Sequence, residues 1–353
     1  SHVILEKFKV IFNEKDRKLE MLKISQIEYH LPKNLISNKN LAEINPSWDI
    51  KEIEKWTGVS KRYYAADNET ALDLAQFASE KFFKNSKINK EKIDGLIFCT
   101  QSSDYLSPPN SAILHGLLNL SEEVFAFDIN LACSGFVNGL SIANGLMKAK
   151  TSKNILLINS DTISKYINDK DRSTKVLFGD AASVTYLEDS NNSKGLIDII
   201  CNTSGINHKK LIIPNGGSRN PRINSSKKNK NKDSSNFEYN LSMDGLGIYS
   251  FTNSKVPRQI KLILEKNNID IRDINLFVFH QANKLVLESL AKLLKIEPNK
   301  VFMNIDKIGN TSSASIPIAL KDAELEGRIN DGDLVLCSGC LLYTSDAADE
   351  EDS

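Results

Sequence analysis

Three residues of the chain carry side chains suited to covalent catalysis: Cys133, His280 and Asn310. Cys133 lies in Leu131-Ala132-Cys133-Ser134-Gly135, where an apolar run gives way to a helix-like pattern. Amide N–H groups at a helix N-terminus favour a thiolate, and small neighbours let a second molecule approach the sulfur. Read alone, Cys133 is either a nucleophile or a buried structural cysteine. His280 ends the run Leu276-Phe277-Val278-Phe279 and precedes Gln281-Ala282-Asn283. It is either a base or a hydrogen-bonded core residue. Asn310 follows Gly309 in a turn, where its side chain either caps backbone or offers an amide donor. Together they supply a nucleophile, a proton-handling group and a donor for developing negative charge.

An internal repeat predicts how these residues are positioned. Val124-Phe125-Ala126-Phe127-Asp128-Ile129 precedes the Cys133 turn, and Val301-Phe302-Met303-Asn304-Ile305-Asp306 precedes the Asn310 turn. Each block reads as strand, small-residue turn and helix, with Cys133 opposite Asn310. Upstream, Ile93-Asp94-Gly95-Leu96-Ile97-Phe98 matches Ile274-Asn275-Leu276-Phe277-Val278-Phe279. The copies lie about 180 residues apart, far beyond the period of a solenoid. Near-continuous apolar strands alternating with helices imply an α/β fold of two duplicated halves, with mostly parallel mixed sheets covered on both faces. Helices are expected over 136–150 and 284–294. All three candidate residues then fall at C-terminal ends of strands, where parallel α/β sheets bind ligands.

Composition narrows the function classes. The chain has 353 residues, 45 basic and 45 acidic, so no excess positive charge marks a nucleic-acid binder. No apolar run approaches the roughly 18 residues of a membrane span. Five dispersed cysteines form no paired CxxC motif, and no metal site is expected. Cysteine usage reads as reduced and cytoplasmic, with Cys99 and Cys201 as packing residues. Residues 1–20 precede the first methionine and read as an extension outside the fold. Residues 21–192 and 193–340 form the two halves. Residues 341–353 turn small and acidic and read as translated adapter sequence rather than an interaction tail. The Asn-, Ser- and Lys-rich stretch 218–236 is a solvated loop or a basic patch, and no aromatic residues interleave its lysines.

With these residues in view, the chain resembles the β-ketoacyl-acyl-carrier-protein synthase III family of the thiolase superfamily. The resemblance spans 21–338 and rests on Asp128 to Phe136, Asp171-Arg172 leading to Phe178-Gly179-Asp180-Ala181-Ala182, His280-Gln281-Ala282-Asn283, and Gly309-Asn310-Thr311-Ser312-Ser313-Ala314-Ser315. Thr57-Gly58-Val59 with Arg62 adds an N-terminal element. It implies a thiolase-like layered αβαβα fold and a condensing enzyme. Cys133 would take the acyl group, with its backbone N–H as an oxyanion donor, and His280 and Asn310 would stabilise the enolate from malonyl-carrier protein. Acyl-coenzyme A, malonyl-ACP and acyl carrier protein are the implied partners, in a homodimer with no cofactor. An acyltransferase on the same fold and a non-catalytic dimer partner are the competing readings.

The resemblance also assigns peripheral roles. The family's second oxyanion donor comes from a Gly-rich loop, represented here by Ser338-Gly339, so Gly339 is its candidate. The family's coenzyme A contacts do not align at Glu52 and Trp56; Trp56, with Trp48, either stacks on the adenine or is an ordinary aromatic. Arg172 either binds phosphate or pairs with Asp171 or Asp180. Asn283 is a substrate-binding candidate, and Lys284, Arg219 and Arg258 are candidates for carrier docking. Leu106 from a neighbouring subunit is a candidate for the acyl-pocket floor.

Overall fold

A computed structural model describes the backbone of residues 2–6 and the residues 21–190, 195–221 and 240–339. Two mixed sheets organise it. The first has the order β2-β8-β7-β5-β6, built from β2 (Met21–His30), β5 (Gly95–Cys99), β6 (Phe125–Ile129), β7 (Asn154–Asp161) and β8 (Ala181–Ser190). The second has the order β12-β13-β1-β9, built from β1 (His2–Glu6), β9 (Gly195–Ile200), β12 (Leu276–Phe279) and β13 (Leu334–Ser338). Two ribbons complete the strands, β3 (Asn34–Ser37) with β4 (Lys61–Tyr64), and β10 (Leu211–Ile212) with β11 (Ser242–Met243).

The helices separate and cover the sheets. They are α1 (Asn38–Ile44), α2 (Ile50–Thr57), α3 (Ala71–Asn85), α4 (Asn110–Leu117), α5 (Gly135–Lys148), α6 (Arg172–Lys175), α7 (Gly245–Lys266), α8 (Lys284–Leu293), α9 (Ile305–Ile308) and α10 (Ser315–Leu325). Strand alternation decides which layer each residue joins. Ile97 of β5 and Leu157 of β7 pack with Val278 of β12 and Val335 of β13 in one core that also takes Phe136 and Leu140 of α5 and Ile316 and Leu320 of α10. Their neighbours Leu96, Phe98 and Ile158 face the other way, onto Phe82 of α3 and Leu114 of α4. Phe277, Phe279 and Leu336 likewise meet Val256 and Ile260 of α7 and Leu287 of α8. The layers are therefore helix, sheet, helix, sheet, helix. Each fully buried Leu or Phe in them contributes about 1.5–3 kcal/mol against exposure.

The halves repeat one topology, with two departures from the sequence reading. Residues 301–306 do not form a strand: the counterpart of β6 shrinks to a single bridge between Phe277 and Val301, and the one-turn helix α9 follows. The second departure concerns residues 1–20. Their segment His2–Glu6 is β1, paired antiparallel with both β13 and β9. It occupies in the second sheet the place β8 occupies in the first, antiparallel to both β7 and β2. The first residue of β8 pairs with the last of β7 (Ala181 with Asp161), and the first of β1 pairs with the last of β13 (His2 with Ser338). A register shift falls between β2 and β8, and another between β9 and β1. So this part of the expected extension lies inside the sheet, because a strand flanked by two unpaired edges satisfies the backbone groups of both. Residues 341–353, and 218–236 from 222 onward, lie outside the described residues.

Candidate active site

The turn after β6 is held by strain and by small residues. Ala132 has φ 43°, a left-handed value that costs a non-glycine residue energy. A 3₁₀ turn over Ala132–Ser134 then feeds α5. In the second half Ser312 has φ 52°, and a 3₁₀ turn over Ser312–Ala314 feeds α10. This shared geometry corrects the alignment read from sequence: Cys133 is equivalent to Ser313, not to Asn310, because α9 shifts the register of the second copy.

The Asn310 turn is anchored on the first half. The Asn310 N–H donates to the Leu177 carbonyl at 2.8 Å, and the Asn310 carbonyl accepts from the Gly179 N–H at 2.9 Å. Gly309 has φ 72°, and a Cβ there would lie 2.7 Å from the Leu177 carbonyl oxygen and 3.1 Å from the Arg62 Cβ. Arg62 is fully buried and donates to the Asn38 Oδ1 at 2.7 Å and to the Val176 carbonyl at 2.8 Å. Burial pulls its pKa down to about 10, so it keeps its charge at neutral pH. Its role as the post beneath this turn was not legible from the N-terminal motif. The Asn310 Oδ1 accepts the Ser312 N–H at 3.0 Å, which aims the NH₂ as the group available to a ligand.

His280 extends from the end of β12, and its N–H donates to the Ser338 carbonyl at 2.8 Å. Its Nδ1 lies 2.6 Å from the Ser315 Oγ at the start of α10. Burial alone pushes the imidazole pKa down to about 4, so the ring is neutral at pH 7. The following residues also hold structure. Gln281 donates to the Phe279 carbonyl at 2.8 Å, and Asn283 caps α8 by accepting the Val286 N–H at 2.8 Å.

Cys133, His280 and Asn310 line one cleft, which opens to solvent. Asn283 joins them, and Leu211, Met243, Ile248 and Tyr249 make much of its wall apolar. Gly339 runs against the nucleophile turn: a Cβ there would sit 2.9 Å from the Cys133 carbonyl oxygen and 3.1 Å from the Ser134 Cα. Only glycine permits that approach.

The peripheral candidates separate. Trp56 is half exposed on α2, with Lys55 Nζ 6.0 Å from its ring. Lys284 begins α8 and packs on Gly58 just after α2, so Trp56 and Lys284 share one region. Arg219 is exposed after β10, and Arg258 is half-buried on α7. Arg172 is exposed, and the ion-pair reading fails because both carboxylates are engaged elsewhere. Asp171 accepts from the Ser173 N–H and the Thr174 hydroxyl, while fully buried Asp180 accepts the N–H groups of Ala65 and Ser164. Cys201 is exposed beyond β9 rather than packed, whereas Cys99 is fully buried. Among the described residues no helix is long and apolar enough to cross a membrane.

Comparison with known proteins agrees with this arrangement. The family model described as 3-oxoacyl-[acyl-carrier-protein (ACP)] synthase III matches residues 127–205, and its C-terminal counterpart matches residues 264–340. The β-ketoacyl-[acyl-carrier-protein] synthase III of Fusobacterium nucleatum is 34% identical over 321 residues, covering 91% of this chain and 95% of that protein. The enzyme of the same description from Rickettsia rickettsii is 34% identical over 312 residues, covering 88% and 92%. A crystal structure of a 3-oxoacyl-(acyl-carrier-protein) synthase III superposes with a TM-score of 0.86 at 33% identity, covering 92% of this chain and 97% of that one. The Aquifex aeolicus structure of that description gives 0.80 at 30% identity, covering 92% and 97%. Nearly full-length likeness, in sequence and in fold, places this chain in the β-ketoacyl-acyl-carrier-protein synthase III family of the thiolase superfamily.

Proposed function

We propose that the chain condenses an acyl group held on Cys133 with malonyl-ACP, giving β-ketoacyl-ACP for acyl-chain synthesis. The observation that carries this is the meeting of Cys133, from the first half, with His280 and Asn310, from the second, on one cleft.

In the first stage the Cys133 sulfur attacks the carbonyl of an acyl-coenzyme A. The carbonyl oxygen gains negative charge, which the backbone N–H groups of Cys133 and Gly339 stabilise. The coenzyme A thiol leaves with the proton, and the acyl group remains on Sγ. The apolar cleft wall suits a pantetheine arm, while Trp56, Asn283 and Arg172 are the groups proposed for the rest of coenzyme A.

In the second stage malonyl-ACP enters, guided at the surface by Lys284, Arg219 and Arg258. Its thioester oxygen accepts hydrogen bonds from His280 Nε2–H and Asn310 Nδ2–H. With the Ser315 hydroxyl, 2.6 Å away, taken as donor to Nδ1, the neutral imidazole carries its proton on Nε2, which is the donor this step requires. The bond to the malonyl carboxylate breaks, CO₂ leaves, and the electron pair enters the enolate. Its carbon attacks the acyl-cysteine carbonyl, the C–C bond forms, and the C–S bond breaks to return Cys133 as thiolate. Every step uses the chain's own groups and the two thioesters.

The protein works as a homodimer in this proposal. Leu106 is 98% exposed and Tyr105 61% on the loop after β5, and Phe125 is half-exposed on the edge strand β6; exposed apolar groups of this kind suit burial against a second copy. The test is incubation with acyl-coenzyme A, peptide mapping of the adduct, then addition of malonyl-ACP. An adduct on Cys133 that is consumed with CO₂ release supports condensation. An adduct transferred without CO₂ points to a simple acyltransferase, and no adduct rejects both.

A further inference from the structure

The twofold relation between the halves maps the candidate site onto a second cluster. Matching strand ends and turns pairs His280 with Cys99, Cys133 with Ser313, and Ser315 with Gly135. The contacts repeat as well. His280 rests on Ser315, and Cys99 rests on Gly135 so closely that a Cβ there would fall inside the sulfur's van der Waals shell. Ser313 packs on the same glycine, its Cβ 3.4 Å from where a Cβ on Gly135 would stand. Unlike the cleft, this second cluster is closed: Cys99 is 0% exposed and Ser313 1%.

A carboxylate stands in the closed cluster. Asp161, at the end of β7, is 0% exposed. It accepts the Gln101 N–H at 2.7 Å, the Thr100 hydroxyl at 3.3 Å, the Ser313 hydroxyl at 2.7 Å and the Ser313 N–H at 3.3 Å. Gln101 in turn accepts the Ser312 hydroxyl at 3.1 Å, and the Ser312 N–H holds the Asn310 amide oxygen at 3.0 Å. Asp161 is thus three hydrogen bonds, by way of Gln101 and Ser312, from the amide that faces the cleft. It belongs to the first half, and the turn it grips belongs to the second.

We propose that the twofold counterpart of the active site has become a buried brace, in which Asp161 is a positioning residue that fixes the Ser312–Ser313 turn and so aims Asn310 at the second substrate. This rests on the proposed role of Asn310 in decarboxylation. A buried carboxylate that satisfies several donors on two chain segments costs more to remove than a neutral partner, because the donors are left unpaired. The acylation step uses Cys133 and should be spared.

The test is Asp161→Asn and Ser313→Ala, singly and together, in the full chain. Acylation of Cys133 is read as a thiol burst, and condensation as CO₂ release from the acyl-enzyme. The brace predicts a burst within about twofold of the parent and a kcat for condensation about 10- to 100-fold lower, with KM for malonyl-ACP little changed. The double variant should be no worse than the more damaged single one, since both break the Asp161–Ser313 side-chain hydrogen bond. Condensation at the parental rate in both single variants overturns the proposal. Equal loss of burst and condensation overturns it too, by marking Asp161 as merely structural. Should Asp161→Asn not fold, Ser313→Ala alone decides, by the same split. If the parent protein forms no acyl-Cys133 at all, the functional reading fails rather than the brace.

Discussion

Replacing Ser315 with alanine tests how the histidine is prepared for its step. The Ser315 side chain is fully buried, and its hydroxyl lies 2.6 Å from the His280 Nδ1 in surroundings dry enough to hold the imidazole pKa near 4. Without that hydroxyl, Nδ1 loses its nearest polar contact. Leaving a buried polar atom unsatisfied costs about 1–3 kcal/mol. With Nδ1 unpaired, neither the ring's orientation nor its tautomer is fixed, and the Nε2–H that donates to the malonyl thioester is no longer held in place. At 1.4 kcal/mol per factor of ten, condensation should slow by about 5- to 150-fold. Acylation of Cys133 does not use this proton and should keep its burst amplitude and rate within about twofold. Rapid-quench measurement of CO₂ release from pre-acylated protein separates the stages. Condensation at the parental rate, or a burst that falls in step with condensation, would refute the reasoning.

Other predictions rest on packing and protonation. Gly135→Ala drives a methyl into the Cys99 sulfur within a closed core and should lower stability by about 1–3 kcal/mol, read as a lower melting temperature. Because burial depresses the His280 pKa to about 4, the unfolded chain takes up that proton first as the pH falls below 6.5. His280 therefore removes stability between pH 6.5 and 4, and His280→Gln should lose less across that window in denaturant titrations. For the same reason the single-turnover condensation rate should show no limb near pH 6.5. Ile4→Pro removes a ladder hydrogen bond from a strand flanked on both sides, so it should lower the melting temperature and expose β13 amides to hydrogen exchange. Unchanged exchange in β13 would contradict the place given to β1.

Much of this was legible in the sequence because the signals are local. Runs such as Leu96-Ile97-Phe98 and Val335-Leu336-Cys337 are apolar on both faces, as strands between two helical layers must be. The Cys133, His280 and Asn310 motifs sit on strand-to-helix turns, whose small residues and glycines mark them. The alignment of the two copies failed where a one-turn helix, α9, was inserted, since apolar matching carries no information about a backbone turn. The strained Ala132 and Ser312 settle the true equivalence. Asp161 was invisible because a single aspartate ending a strand has no periodic or motif signature; its meaning comes from partners 60 and 152 residues away in sequence. Arg62 was noticed as part of a motif, but burial beneath Gly309 and Gly179 is a tertiary property. The place of His2–Glu6 was hidden for a further reason. A five-residue strand far along the chain from β13 is recognised only by the vacancy that the repeat leaves beside that strand.

The most direct test of the central claim is a single turnover on protein carrying one acyl group per chain at Cys133. After addition of malonyl-ACP, CO₂ and β-ketoacyl-ACP should appear together, each in the amount of acyl-Cys133 consumed, and Asn310→Ala should retain the acyl group without releasing CO₂. Loss of the acyl group from Cys133 with no matching β-ketoacyl-ACP, or condensation that survives Asn310→Ala at the parental rate, would contradict the account.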